Sequence, residues 1–283
     1  MKSNTKKFWS MIAGTALCAG SVFLPLQPVM AEEAPAAEAE APQTAAEWQE
    51  QGDTFFQGWY YDEAIDAYGH AIALDKQNAD AYAARALAFY CKGNTELSVD
   101  KTTGGNTYYA RAIADYGQAL KLAPQEEKYL LGRGIVYLKL EDADKALADF
   151  NSVVAQRPDD YSAYDQRSQA YRELKQYDKA ILDLNQALAL NDKDYMNNYY
   201  RGRVYEDQGD YANADASYDK AIAKDQRFAE AWFHKGIVNE KWGKSSEAID
   251  AYRQFLRYDR VHNPDMTAFA VNHSAERYKP LKK

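Results

Sequence analysis

The sequence predicts an all-α protein built from repeated pairs of helices, because small residues recur along it at a fixed period. Glycine, alanine or serine fills six positions spaced by 34, 48, 34, 34 and 34 residues. These positions are Gly52, Ala86, Gly134, Ser168, Gly202 and Gly236. A constant period of 34 residues is typical of arrays in which every repeat is one helix–turn–helix unit.

A second set of small residues, all of them alanine, follows the same period. Its members are Ala64, Ala112, Ala146, Ala180, Ala214 and Ala248. From Ala180 to Leu188, apolar residues recur at the intervals of one buried helix face. The pattern predicts helices near 45–58, 61–75, 79–92, 107–122, 127–140, 143–156, 161–174, 177–190, 195–208, 211–224, 229–242 and 245–259.

Aromatic residues complete a pattern that resembles the tetratricopeptide repeat (TPR) family over roughly residues 45–260. The family pattern W-x2-L-G-x2-Y…A-x3-F is matched in the first copy by Trp48, Gly52, Phe55, Ala64 and Tyr68. The resemblance implies a right-handed α-solenoid of about six helix–turn–helix repeats. We number them one to six, at 45–78, 79–126, 127–160, 161–194, 195–228 and 229–262.

The small positions have a predicted steric role in the array. We expect Gly134 and Ala146 to lie where the two helices of a pair cross closely, with Phe150 filling the space between the helices. A larger side chain at such a crossing would force the helices apart. The same role is expected at the equivalent small positions of the other repeats.

Charged residues next to these positions predict ion pairs. An acid precedes a base by the same interval in Asp115–Arg133, Asp149–Arg167 and Asp183–Arg201. Pairs of this spacing would join the second helix of one repeat to the first helix of the next, and so specify how the repeats stack. The alternative is a pair within one repeat, such as Arg133 with Asp149. Either way a structural role is favoured over a binding role.

The second repeat is longer than the others, and the end of the array is followed by further chain. Glycine and asparagine around Gly93, Gly104 and Gly105 predict a loop at 92–106. This loop is either a tolerated insertion or part of a binding face. Residues 264–278 predict a C-terminal helix that covers the open end of the last repeat, followed by a basic tail at 279–283.

The amino terminus has the features of a secretory signal. Three lysines precede an apolar run from Phe8 to Leu24, and small residues precede a predicted cleavage site after Ala31. Retention of this run as a membrane anchor is the alternative. Residues 32–46 are rich in Ala, Glu and Pro and predict a disordered linker. We therefore expect an exported protein that is periplasmic, extracellular or otherwise in the cell envelope.

Charge and composition disfavour catalysis and nucleic-acid binding. The net charge is −8, and the leader up to Ala31 contributes three lysines without an acid, which leaves −8 − 3 = −11 for the rest. An acidic surface does not suit nucleic acid or anionic membranes. The four histidines are scattered without metal-ligand spacing, and Cys91 is the only cysteine beyond the leader. We expect no catalytic residue, no metal and no cofactor.

The resemblance implies that first helices line a concave groove, and this groove is the predicted binding site. Apolar residues form a continuous stretch along its first half, at Leu87, Tyr90, Leu131, Ile135 and Leu138. The full set of predicted groove residues is Ala83, Leu87, Tyr90, Leu131, Ile135, Leu138, Tyr199, Arg203, Phe233 and Ile237. The alternative is that neighbouring repeats, or the 92–106 loop, cover the apolar stretch.

These observations predict a non-catalytic protein–protein interaction scaffold of the bacterial cell envelope. Its partner would be a peptide or helical segment of another protein, without nucleic acid and without membrane insertion once the signal is cleaved. Two alternatives stay open. The protein could assemble with copies of itself, or it could be an accessory module that binds cell-wall glycan through its aromatic residues.

Overall fold

The computed structural model describes residues 42–99, 104–259 and 264–275, and the helices that follow are those of these ranges. The predicted signal segment, most of the linker and the basic tail lie outside the described residues. The chain divides into two compact units, the first ending at Pro158 and the second beginning at Asp159. Unit 1 contains repeats one to three, and unit 2 contains repeats four to six.

Unit 1 is built from three consecutive helix pairs. Its helices are α1 (Ala45–Gln57), α2 (Tyr61–Leu74), α3 (Ala79–Val99), α4 (Gly104–Leu122), α5 (Glu127–Lys139) and α6 (Ala143–Gln156). A capping box starts α1, in which the side chain of Thr44 accepts from the amide of Glu47 while the Glu47 carboxylate accepts from the amide of Thr44. Each pair packs against the next within the unit.

Unit 2 contains three further pairs and one closing helix. Its helices are α7 (Tyr161–Glu173), α8 (Tyr177–Leu190), α9 (Tyr195–Gln208), α10 (Tyr211–Lys224), α11 (Ala229–Lys241), α12 (Ser245–Tyr258) and α13 (Pro264–Ala275). Asp160, Asp194 and Asp210 cap α7, α9 and α10 through side chains that accept from backbone amides. The predicted all-α fold of helix pairs is confirmed. Outside the second repeat, helix ends in the array agree with the prediction to within one residue.

A glycine facing an aromatic ring fixes how the two helices of a pair cross. A Cβ atom added at the glycine would lie 2.4–2.5 Å from the ring in four repeats. The pairs are Gly52–Tyr68, Gly134–Phe150, Gly202–Tyr218 and Gly236–Tyr252. The close approach predicted at Gly134 is thus seen at four of the small positions. In repeat four the aromatic position holds the narrower Leu184, and the small position holds Ser168 instead of glycine.

The turns inside five of the helix pairs each use one residue with positive φ. In five repeats this residue lies seven positions after the small residue, and φ is between 57° and 84°. The five residues are Trp59, Glu141, Lys175, Gly209 and Gly243. Three of them are not glycine, so these turns hold a side chain in the left-handed region, where it is disfavoured.

The extra residues of repeat two extend the helix pair, so the prediction of a loop at 92–106 is wrong over its described part. Helix α3 continues to Val99 and α4 begins at Gly104. Gly93 lies seven residues after the small position Ala86, and Tyr109 lies seven residues before the aromatic position Tyr116. A Cβ at Gly93 would lie 2.7 Å from the ring of Tyr109. The extension therefore repeats the glycine–aromatic contact two helical turns further along the pair.

The ion pairs form within repeats, so the prediction that they join successive repeats is wrong. The acceptor carboxylates lie 2.7 Å from their arginines in Arg85–Asp115, Arg133–Asp149 and Arg167–Asp183. The reason is the helix crossing. Arg133 and Asp149 directly precede Gly134 and Phe150, so the contact between those two residues brings the charged residues together as well. In each pair, the hydrogen bonds to the aspartate raise the pKa of the arginine.

Repeats five and six lack the acid at this position, and their basic residues turn to the preceding repeat. Arg201 donates to the side-chain oxygen of Asn185 at 2.9 Å, not to Asp183. Lys235 lies 2.5 Å from Asp215 and 2.9 Å from Asp219. Burial lowers the pKa of Arg201, whose Nε atom has no hydrogen bond among the described residues.

Helix α13 covers the end of the last repeat. The ring of Phe269 lies 5.7 Å from that of Phe233 and 5.9 Å from that of Tyr252. Ala270 is fully buried in the same cluster. The hydroxyl of Thr267 donates to Asp259 at 2.7 Å, which ties the helix to the end of α12.

Candidate partner-binding face

We call the face of the first helices that carries the predicted groove residues the groove face, and most of its apolar part is buried. In unit 1, Ala83, Leu87, Tyr90 and Ile135 are all buried, with Leu87 only 1% exposed. Helix α3 lies between α1 and α5 and also contacts α2 and α4, so its groove-face side chains are enclosed by neighbouring helices. The prediction that these four residues form an exposed surface is wrong.

Two predicted residues of unit 1 keep partial exposure. Leu131 and Leu138 are half-buried on α5, and they lie seven residues apart and so on one side of the helix. They are the part of the predicted apolar stretch that solvent, or a partner, can reach.

The groove face of unit 2 is also partly enclosed. Tyr199 is buried, with its ring 4.9 Å from Phe228 and 5.8 Å from His234. Phe233 is buried beneath Phe269 of α13, so its predicted exposure is wrong as well. Ile237 and Arg203 remain half-buried.

Polar residues on the groove face of unit 1 are bound to one another. The ammonium of Lys128 donates to Asp80 at 2.8 Å, and the hydroxyl of Tyr129 donates to the same oxygen at 2.6 Å. Although burial opposes it, these two donors lower the pKa of Asp80. Lys128 is thus paired with a carboxylate of its own chain.

The carboxyl of Asp53, also on the groove face of unit 1, has a raised pKa, whereas the pKa of Asp80 is lowered. It accepts a hydrogen bond from Tyr68 at 2.8 Å. Burial, together with the charges of Asp80 and Glu50, raises its pKa to about 6. Asp53 therefore changes charge near neutral pH.

Unit 2 contains a cluster of titratable side chains around Glu206 on α9. The carboxylate accepts from the Tyr218 hydroxyl at 2.7 Å and from Nδ1 of His234 at 3.0 Å. Nε of Arg203 lies 3.9 Å from it, and Arg203 donates to the hydroxyl of Tyr199 at 3.1 Å. Burial alone would raise the pKa of Glu206, but its contacts with His234, Tyr218 and Arg203 lower it to about 2.

His234 is an enclosed residue of this cluster, although its sequence pattern did not single it out. Its side chain is 15% exposed and lies between Glu206 and the rings of Tyr199 and Tyr218. Burial lowers its pKa, and the charges of Arg203 and Arg172 act in the same direction. The sequence did offer one indication of this position. His234 and Glu206 are 28 residues apart, which places them on two successive first helices that contact each other.

The described residues contain no group of three or more His, Cys, Asp or Glu side chains that could hold a metal ion. The thiol of Cys91 is hydrogen-bonded to Tyr61, and burial raises its pKa to about 12, so it is a poor nucleophile at neutral pH. Over the same ranges, no helix combines the length and the apolar composition needed to span a bilayer.

Family models match most of the array. The model described as TPR repeat matches residues 52–93, and the model described as tetratricopeptide repeat matches 105–161, 131–199, 166–214 and 199–261. The chain belongs to the tetratricopeptide repeat family. No curated protein sequence matches it.

Solved TPR structures share the fold at low sequence identity. PilW, described as a widely conserved type IV pilus biogenesis factor, is 18% identical with a TM-score of 0.66, over 81% of this chain and 99% of PilW. A tetratricopeptide repeat protein from Parabacteroides merdae is 18% identical with a TM-score of 0.64, over 84% and 86% of the two chains. A thermophilic TPR protein from Thermus thermophilus is 22% identical with a TM-score of 0.55, over 66% and 98%. At these identities the likeness concerns the fold.

Proposed function

We propose that this TPR protein is a non-catalytic scaffold that binds a segment of another protein on its groove face. TPR proteins are generally protein-interaction scaffolds, and a structural neighbour, Cut9, was solved in a hetero-tetramer with Hcn1. Stacked repeats supply long surfaces without needing a catalytic centre. The observation that carries the proposal is the pair Leu131 and Leu138, which remain half-buried on one side of α5 while their apolar neighbours are enclosed.

The proposed partner segment presents apolar side chains at a matching spacing. Leu131 and Leu138 are separated by two helical turns, so a helical partner would pair with them through residues seven apart. One polar pair of this face, Lys128 and Asp80, is engaged within the chain. We therefore expect the contact with the partner at Leu131 and Leu138 to be apolar.

We further propose that the protein acts in the bacterial cell envelope after removal of residues 1–31. The support is the sequence of its amino terminus, with lysines before an apolar run and a small-residue site at Ala31. Mass spectrometry of the protein recovered from its source cells tests this directly. A mature chain that starts at Glu32 supports export and cleavage, whereas a chain that retains the apolar run would establish a membrane anchor.

A cross-linking pull-down tests the scaffold with the full chain as bait. The test variant carries Leu131→Asp and Leu138→Asp. The control variant carries Leu74→Asp and Leu182→Asp, which replace leucines on second helices that are 57% and 67% exposed. All baits are first compared by circular dichroism and thermal unfolding, so that loss of fold is not mistaken for loss of binding.

The proposal requires a partner that wild type and control capture and that the test variant loses. Equal capture by all three baits would overturn the assignment to the groove face. Light scattering of the purified chain covers the self-assembly alternative, since a scaffold without its partner is expected to be monomeric. Retention on purified cell-wall polymer, undiminished by the test substitutions, would favour glycan binding.

A further inference from the structure

The carboxylate of Glu206 joins three helices from two successive repeats. Glu206 belongs to α9, the first helix of repeat five, and Tyr218 belongs to α10 of the same repeat. His234 belongs to α11, the first helix of repeat six. Both Tyr218 and His234 hydrogen-bond the same oxygen, Oε2. The buried carboxylate of Glu206 is therefore one of the polar contacts that stack repeat six on repeat five, together with those of Lys235 to Asp215 and Asp219.

The charged and titratable groups around His234 come from several elements. Helix α9 contributes Arg203 and Glu206, α10 contributes the phenol of Tyr218, and the charge of Arg172 on α7 also acts on the imidazole. On α11 itself, Lys241 lies 3.7 Å from the other oxygen of Glu206.

The other neighbours complete these surroundings. Arg172 is paired with Asp207 at 2.6 Å. On the far side of α11, Tyr252 of α12 donates to Glu240 at 3.0 Å. His273 of α13 stacks on Phe269 with ring centroids 3.7 Å apart.

A histidine protonated in this site would be poorly accommodated. Glu206 can neutralise one positive charge, and it already faces Arg203 and Lys241. The side chain of Glu206 is 9% exposed, so water can screen little of the added charge. Burial and the two arginines accordingly lower the pKa of His234 from its ordinary value of about 6.5.

The equivalent contacts within each unit lack this chemistry. The residues corresponding to Glu206 and His234 are Phe56 and Ala84, Tyr90 and Gly132, and Arg172 and Tyr200. None of these pairs combines an acid with a histidine. Among these contacts within the two units, that between repeats five and six is the one that pairs an acid with a histidine.

We propose that the Glu206–His234 contact is an acid-sensitive joint between repeats five and six. At neutral pH the imidazole is uncharged and donates its Nδ1 proton to Glu206, and α11 is held against α9 and α10. Protonation of the imidazole adds an uncompensated charge to the contact, and α11 separates from its neighbours while the earlier pairs stay packed. The proposal concerns the joint itself and does not depend on the identity of any partner.

The lowered pKa of His234 determines how pH acts on the contact with Glu206. Because the folded chain holds this proton less tightly than the unfolded or locally opened chain, acid favours opening. The stabilisation is complete above pH 6.5 and is lost as the pH falls toward the lowered pKa of His234. One linked proton changes the opening equilibrium by at most about tenfold per pH unit.

Hydrogen exchange of the full chain between pH 8 and 5, followed by mass spectrometry, tests the joint. Exchange rates are divided by the intrinsic rate at each pH. Peptides of α11 in the wild type are expected to lose protection on acidification, while peptides of α5 are expected to stay constant. In His234→Gln, which keeps a donor near Glu206 but does not titrate, protection of α11 is expected to be independent of pH. His273→Gln is the matched control in unit 2 and is expected to behave like the wild type.

Histidine proton resonances in NMR give a second readout, which in the wild type does not depend on how well a variant folds. The His234 resonance of the wild type is expected to titrate below pH 6.5. In Glu206→Gln it is expected to titrate lower still, because the anion that favours the imidazolium has been removed. Constant protection of α11 from pH 8 to 5, the same loss in His234→Gln, or a His234 pKa at or above 6.5 would each overturn the proposal.

Discussion

Phe150 lies so close to the backbone of Gly134 that a Cβ atom at position 134 would come 2.5 Å from its ring. Because Phe150 is fully buried, its ring cannot move aside without disturbing α5 and α6. The contact therefore fixes the distance at which the two helices cross. It also determines which charged residues meet, since Arg133 and Asp149 are the residues immediately before these two.

Substitution of Gly134 by alanine is expected to destabilise unit 1. Overpacking costs roughly 1–3 kcal/mol, of which better helix propensity returns up to about 1 kcal/mol. Gly117 provides the control because a Cβ there meets nothing within 4 Å. Gly117→Ala should leave stability unchanged or raise it. Urea unfolding followed by circular dichroism compares them, and equal effects of the two substitutions would contradict the steric explanation.

Energetic coupling should follow the pairs seen within repeats. The side chain of Asp149 is 6% exposed and that of Arg133 is 25% exposed. A double-mutant cycle with Arg133→Ala and Asp149→Ala should give a coupling energy above about 1 kcal/mol, in the range found for residues in direct contact. The cycle of Arg133→Ala with Asp115→Ala should give less than about 0.5 kcal/mol. A larger coupling energy for Arg133 with Asp115 than for Arg133 with Asp149 would contradict pairing within the repeat and support pairing between repeats.

Glycine at the positive-φ turns is expected to stabilise the chain. Glu141 and Lys175 have φ of 59° and 57°, where a side chain costs roughly 1–2 kcal/mol. Glu141→Gly and Lys175→Gly should therefore raise the thermal midpoint. The gain is reduced by the conformational entropy that glycine adds to the unfolded chain. Gly209→Ala is the opposite change at an equivalent turn and should lower the midpoint. A loss of stability in both glycine variants would show that these side chains make contacts that outweigh the strain.

Removal of residues 94–107 should leave a folded chain. The deletion takes the added part out of the extended pair and returns repeat two to the length of the others. Gly93 would then occupy the turn position that has positive φ in the other repeats. Cooperative unfolding near the wild-type midpoint is expected by circular dichroism. Deletion of 104–107 alone should be far more harmful, because it moves Tyr109 away from Gly93.

Ionisation of Asp53 should make unit 1 less stable as the pH rises. The folded chain binds this proton more tightly than the unfolded chain, since the pKa is about 6 when folded and about 3.9 in an unfolded chain. Stability contributed by the protonated carboxyl is therefore lost between about pH 4 and pH 6. Asp53→Asn should flatten this part of a plot of thermal midpoint against pH. Asp66→Asn, at an exposed carboxyl of α2, should not.

The helix positions could be predicted because the chain repeats the same local pattern six times. A single glycine does not define a helix boundary, but Gly134, Gly202 and Gly236 at equivalent positions of three repeats do define the repeat and its helices. The partner of Arg133 could not be chosen from spacing alone, because Asp149 and Asp115 both lie on neighbouring helices. The choice depends on the crossing of the pair, which becomes visible only once Gly134 is seen against Phe150.

The groove residues were harder to predict because exposure depends on several helices at once. Leu87 has the position of a groove residue, yet helices on both sides of α3 enclose it. Phe233 is covered by α13, a helix that follows the periodic part of the chain. Gly93 was interpreted as a sign of a loop, whereas it is a packing position. Glycine in a sequence does not distinguish a turn from a close approach of two helices.

The extension of repeat two has a consequence for how such a protein can change length. Seven residues are close to two turns of a helix, so seven added to each partner return the same faces to contact. An addition of two or five residues to one helix would turn its apolar side away from the partner helix, because each residue rotates the helix by about 100°. A helix pair of this kind therefore lengthens in steps of about seven residues per helix. A second step of the same size, carrying its own glycine and tyrosine, could lengthen the pair of α3 and α4 again without changes in the rest of unit 1.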